Sequence, residues 1–384
     1  MYHATIAAAV RRFPLLGRPR PDCPPLPLRI QEITDAANTA THKGEHGIAD
    51  AAHALNKAAL IASDAGMPEL ARQLCWQHID TYRRLTRPLT TLEAHYMLEP
   101  VLNLARLQIR ADQGTPALRL IEAMYQAVTH RTDLTIGDHT LPTANLTGDR
   151  DERRKLRQWV WLQLVSEGIR ILALGHRWRD AADHARIHNG MGDHLMEGRQ
   201  ATIIASCIQG NPHQGRAVLA ASSVTEPWEH QIAACLELIC AGPGSPRAID
   251  CLSTAVERLT IPIAASNYAS YRARLGLTVA ILASAIEPEV ATHVLHQTAQ
   301  QAIETDDGYA ARDVLGFHEP LAGITRDQYA HLRRIAANAG LGVGELPAAV
   351  TYKITTTATT AVKVLDTVLQ ARSQASPLTK PIPT

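Results

Sequence analysis

Eighteen histidines in 384 residues make metal chemistry the first thing to look for. His42-Lys43-Gly44-Glu45-His46 spells H-x-x-E-H. On a helix, histidines at i and i+4 face one metal and the glutamate serves as base. Gly44 interrupts the helix this needs, and no third ligand is visible, so the segment reads as a turn between helices. His184 with His188, and His293 with His296, also share helix faces by spacing. Histidine is so frequent here that exposed or hydrogen-bonded rings account for such pairs, and no metal site is expected. Asp306-Asp307 has the look of an acidic diphosphate motif, but the third carboxylate at the required spacing is missing. A helix start is the expectation there. No G-x-x-x-x-G-K-[ST] phosphate loop occurs, and Gly242-Pro243-Gly244 reads as a plain loop. No catalytic residue and no cofactor is expected from these patterns.

Composition says what must carry any site. Alanine is the commonest residue, aromatics make up 4%, and there are 2 Phe. Small residues with high helix propensity let neighbouring helices approach closely. The expected fold class is therefore all-α. Charges nearly cancel, with 38 basic against 37 acidic residues, so no global field draws nucleic acid or membrane. Cys23, Cys75, Cys207, Cys235, Cys240 and Cys251 form no C-x-x-C pair and sit mostly among apolar neighbours. They read as buried free thiols of a reducing compartment. No apolar run approaches the ~20 residues that span a bilayer. At the N-terminus Arg11 and Arg12 follow the apolar run Ile6 to Val10 rather than precede it, the wrong order for a secretory signal. A cytoplasmic protein is expected.

Along the chain the rhythm is helix, short turn, helix. Residues 13–28 hold six prolines, each of which removes a backbone donor, so 1–28 reads as an extended Pro-rich N-terminal arm. Residues 29–373 read as one helical-repeat domain and 374–384 as a flexible tail. Gly66-Met67-Pro68, Gly114-Thr115-Pro116 and Gly210-Asn211-Pro212 recur after apolar helical runs. Gly accepts the left-handed conformation that closes a helix, and Pro suits the first turn of the next. Leu55-Asn56 and Leu102-Asn103 stand at similar offsets before the first two turns. Within 130–148 the pattern breaks: Thr135-Ile136, Gly137-Asp138 and His139-Thr140-Leu141 alternate around a turn and predict a small inserted β-hairpin. It would serve as a contact loop or a neutral surface insertion.

Residues 55–78 (LNKAALIASDAGMPELARQLCWQH) resemble a tetratricopeptide repeat, with Gly66 in the turn and Ala71 five residues on. His176-Arg177-Trp178-Arg179-Asp180-Ala181 is similar, with His176 where Gly is expected. The likeness covers about residues 45–305 and departs from the family in spacing, since its repeat is about 34 residues. The chain also resembles the helical sensor portion of actinobacterial transcription regulators. The resemblance implies an α-α superhelix, a solenoid of helical hairpins with a concave groove. In repeats that clamp a peptide carboxylate, an Asn-Lys pair stands where Asn56 and Lys57 stand here. Asn103 holds the corresponding place in the next copy, and Arg199 and Gln200 the stretch before the Gly210 turn.

Ile335, Ala336, Ala339, Gly340 and Leu346 have helix-turn-helix spacing. Gly342, Gly344 and Pro347 weaken the supposed reading helix, so a helix ending near Gly340 and a separate C-terminal helix are expected, and DNA is not expected as a direct partner. Trp159 and Trp161, two apart, cannot share a helix face, which predicts one in the core and one at a contact surface. The leading functional expectation is a non-catalytic module that holds a protein or peptide partner in the groove, with a small-molecule effector as a further possibility. A regulatory sensor and an all-α biosynthetic enzyme stand as alternatives.

Overall fold

The computed structural model describes residues 2–15, 21–263, 266–319 and 321–375. Among them are seventeen α-helices and one two-stranded sheet, as the alanine-rich, turn-punctuated sequence dictates. The helices begin with α1 (Tyr2–Val10), α2 (Leu26–Lys43), α3 (Ile48–Asp64), α4 (Pro68–Arg83), α5 (Thr91–Arg110) and α6 (Gly114–His130). Strands β1 (Leu134–Ile136) and β2 (His139–Leu141) follow. Next come α7 (Arg150–Leu174), α8 (Trp178–Ile187), α9 (Glu197–Ile208), α10 (Pro212–Ala220), α11 (Pro227–Ala241) and α12 (Ala248–Thr260). The remainder are α13 (Ala269–Ser284), α14 (Pro288–Glu304), α15 (Gly308–Leu315), α16 (Arg326–Asn338) and α17 (Ala348–Ala375).

One turn closes at least six helix ends among the described residues, at Asn189 and Gly340 as well as at four others. Gly66, Asp112, His176 and Gly210 are left-handed, with φ of 85°, 58°, 59° and 78°. In each case the next residue donates its N–H to the carbonyl five back: Met67 to Ala62, Gln113 to Gln108, Arg177 to Leu172, Asn211 to Ser206, all at 2.8 or 2.9 Å. The left-handed residue itself donates to the carbonyl three back. This double bond pattern satisfies the orphan carbonyls of a helix end. Gly66, His176 and Gly210 stand where the sequence places them. The second turn differs: Asp112 takes the left-handed position, and Gly114 instead opens α6. Asp tolerates that conformation through its short polar side chain, so glycine is not required. Asp306 is left-handed too, and Asp307 caps α15, accepting from the Ala310 N–H at 2.7 Å. That is the helix start expected of the acidic pair.

The chain divides into two compact units, each built from separate stretches, where one domain over 29–373 was expected. One unit comprises residues 26–164 and 342–384. In it α3 packs on α2 and α4, α5 packs on α3, α4 and α6, and α17 lies against α2, α3 and α4. α17 buries Ile354, Ala358, Ala361, Leu365, Val368 and Leu369, one stripe at helical spacing. Gly342 and Gly344 donate their N–H groups to the Asp64 and Ala65 carbonyls, both at 2.8 Å. The segment with helix-turn-helix spacing is thus a helix ended at Asn338, a glycine-rich connection and a separate long helix. The β-hairpin forms as predicted, antiparallel, pairing Leu134 with Leu141 and Ile136 with His139 around the Gly137-Asp138 turn.

The other unit comprises residues 1–25 and 165–341. Here the expected extended arm is corrected: residues 2–10 are helical, and α1 packs on α9 and α13. Ile6, Ala9, Val10, Phe13 and Leu15 are buried. The half-buried Arg274 guanidinium donates to the Arg12 carbonyl at 3.1 Å and the Phe13 carbonyl at 3.4 Å. Burial of apolar side chains on α13, rather than intrinsic propensity, holds this short helix. Further on, Cys23 is buried and donates its N–H to Asp307 Oδ2 at 2.6 Å. Arg18 and Arg20, and the tail from 376, lie outside the described residues. All six cysteines are free and buried. Among the described residues no helix is long and apolar enough to cross a membrane.

Candidate functional site

On α3 the apolar residues Ala51, Ala52, Leu55, Ala58, Ala59 and Ala62 are buried. That leaves His53, Asn56 and Lys57, at i, i+3 and i+4, together on the other face. On α5, His95, Glu99, Asn103 and Arg106 line up in the same way, while Ala94, Leu98, Val101, Leu102 and Ala105 are buried. The two polar faces meet. Asn103 Nδ2 donates to Asn56 Oδ1 at 3.4 Å, Asn56 Nδ2 donates to Glu99, and Arg106 Nη1 donates to Asn103 Oδ1 at 3.3 Å. Lys57 Nζ and His53 Nε2 each lie 3.1 Å from Glu32 Oε1 on α2. His95 Nε2 stands 3.2 Å from Glu99 Oε1, with its ring 4.2 Å from that of Trp159. The result is a partly exposed strip of amides and paired charges across α2, α3, α5 and α7. Burial works against ionisation of Glu32, yet Lys57 and His53 hold its carboxyl below the usual range. Asn amides carry both donors and acceptors, the chemistry that matches a peptide backbone.

The structure therefore brings Asn56, Lys57 and Asn103 onto one strip. Arg199 and Gln200 belong to the other unit and do different work. Arg199 donates to the Gly192 carbonyl at 2.6 Å and the Val218 carbonyl at 3.3 Å. Gln200 is fully buried and donates to the Leu195 carbonyl at 2.6 Å. The expected open-face role for Gln200 is corrected: its amide holds a loop to α9 because that carbonyl would otherwise lack a donor. Trp159 and Trp161 are both half-buried, rather than one in the core and one at the surface. His42 lies in the last turn of α2 and His46 in a short 3-10 turn, so the H-x-x-E-H stretch is not a helix face. Among the described residues no group of three or more His, Cys, Asp or Glu is placed to hold a metal.

Other buried charges hold helices in place. Asp64, fully buried at the end of α3, lies 2.5 Å from Arg29 and 2.6 Å from Arg110. Glu93 closes the N-terminus of α5, bonding the Thr90 N–H and taking two 2.8 Å bonds from Arg87. Burial disfavours its charge, but the Arg87 pair and the Thr90 amide prevail and keep its pKa low. In the other unit Glu229 caps α11 likewise, accepting from the Thr225, Glu226 and Leu195 amides.

Sequence reasoning missed Glu32, Glu99, His95 and Arg106, whose spacing on α2 and α5 would have revealed them only with the helix register known. It also passed over a basic run, Arg150, Arg153, Arg154 and Arg157, although RDERRKLR is legible at 150–157. Comparison with known proteins gives no match: no family model, no curated protein and no solved structure is similar to this chain.

Proposed function

We propose that this chain is a non-catalytic interaction module of tetratricopeptide-like helical repeats, its hairpins stacked as a solenoid. It holds an extended peptide of a protein partner along the Asn56–Lys57–Asn103 strip, in the cytoplasm. One observation carries the reading. Asn56 and Asn103, 47 residues apart on the first helices of successive hairpins, meet side by side at 3.4 Å. Repeats place equivalent side chains in a row, and a row of amides suits an extended backbone. The turn that recurs between paired helices supports the repeat character, and six buried free thiols support a reducing compartment.

Each amide–backbone hydrogen bond contributes about 0.5–1.5 kcal/mol net. Losing two or more should weaken a partner by about 10- to 100-fold. Affinity capture from native lysate, quantified by mass spectrometry, should show partners retained by the wild type and depleted with Asn56→Ala/Lys57→Ala/Asn103→Ala. A variant that still melts cooperatively and captures the same set at the same level would refute the reading.

A further inference from the structure

We infer that the unit containing residues 26–164 has a second site, on α6 and α7, that binds an organic oligophosphate of nucleoside di- or triphosphate size. This goes beyond the peptide reading and does not depend on it. A concavity of about 750 Å³ is lined by Arg131, Arg150, Arg153, Arg154 and Arg157, with no carboxylate on its wall. Four of these arginines occupy i, i+3, i+4 and i+7 of α7, one helix face within about 10 Å of axis. Like charges at those spacings destabilise a helix unless something neutralises them. Only Arg154 has a carboxylate near, Asp151 at 3.4 Å. Among the described residues none lies within ion-pair distance of Arg131, Arg150, Arg153 or Arg157.

The wall opposite α7 is built, not loose. Asp133 Oδ1 accepts the Thr143 and Ala144 N–H groups at 3.1 and 3.0 Å, and Thr143 Oγ1 donates to the Thr132 carbonyl at 2.7 Å. Thr129 lines the same concavity, its hydroxyl buried without a hydrogen-bond partner. The start of α7 is closed by reciprocal 2.8 Å bonds between Asp149 and Glu152. The guanidinium groups, rather than the helix end, are therefore the feature that selects an anion.

Arg forks match phosphate oxygens two at a time, so five in one hollow suit several phosphoryl groups. The volume lies within the range of small-ligand pockets, and Val128, Leu146 and buried Leu156 offer an apolar wall for a ring. A nucleic-acid backbone would want a longer basic track, and the chain's net charge is only +1.

The test titrates the full chain by calorimetry with ATP, inorganic pyrophosphate, adenosine and a single-stranded oligonucleotide in separate experiments. Expected are binding of ATP and pyrophosphate, none of adenosine, and affinity about tenfold or more weaker in Arg153→Ala/Arg157→Ala. Arg153→Lys/Arg157→Lys should recover part of it. Both alanine substitutions remove like-charge repulsion from a solvated face, so the variant should melt at or above the wild-type temperature. Absence of binding by ATP and pyrophosphate at millimolar concentration overturns the proposal, as does equal affinity in the alanine variant. Binding of the oligonucleotide alone overturns it in favour of a nucleic-acid surface.

Discussion

His78 shows how a single side chain ties this fold to pH. Both ring nitrogens are buried without a hydrogen-bond partner, and burial pulls its pKa down to about 3. The folded chain keeps it neutral, whereas the unfolded chain protonates it near its ordinary value of 6.5. Below that value the unfolded state binds more protons, so stability falls with falling pH, by up to about 1.4 kcal/mol per pH unit, until about pH 3. The depressed carboxyls of Glu93 and Glu229 act lower, below the usual 4.5. Between about pH 7.5 and about pH 5, urea melts of His78→Phe should therefore lose less stability than the wild type. An equal loss would show that His78 is not the group responsible. At this scale the sequence was partly legible. Asn56, Lys57 and Asn103 are recognisable as candidates by offset from their turns. That Asn56 bonds Glu99, 43 residues on, depends on how α3 and α5 pack, which residue types alone do not specify.

At the scale of the element, the repeated turn makes a graded prediction. A left-handed non-glycine residue stores strain, on the order of 1 kcal/mol, greater for His than for Asp. His176→Gly should raise the melting temperature, and Asp112→Gly should raise it less, because glycine's extra unfolded-state entropy offsets part of the gain. Differential scanning calorimetry decides it; a lower melting temperature for His176→Gly would mean the imidazole makes a compensating contact. The turns at Gly66 and Gly210 were readable because glycine signals the conformation it permits. The one at Asp112 was masked by Gly114 and Pro116 just beyond it. The β-hairpin was readable from alternation around Gly137-Asp138. α1 was not, because the prolines after it suggested an arm, while Ile6, Ala9 and Val10 are buried where the chain packs against residues far along the sequence.

At the scale of the whole molecule the composition announced an all-helical chain, but not two units each assembled from distant stretches. Periodicity marks which face of a helix is apolar and says nothing about what covers it. α17 makes the point: Ile354, Leu365 and Leu369 are completely buried. Each large apolar side chain so buried contributes about 1.5–3 kcal/mol, and three approach the about 5–15 kcal/mol that holds a typical domain. Deleting residues 348–384 should therefore open the 26–164 stretch to rapid hydrogen exchange and proteolysis, while 165–341 keeps its protection. Retained protection of 26–164 would show that α17 is an accessory rather than a part of that core.

The same arrangement has a consequence for how the protein is made. Helices α2, α3 and α4 leave the ribosome early, yet the helix that covers them is translated far later. At about 5–20 residues per second the delay is on the order of ten seconds or more. Throughout that interval their apolar faces stay open to water and to chaperones. A chain released before α17 is made would therefore leave this unit unsealed and its apolar faces open to proteases.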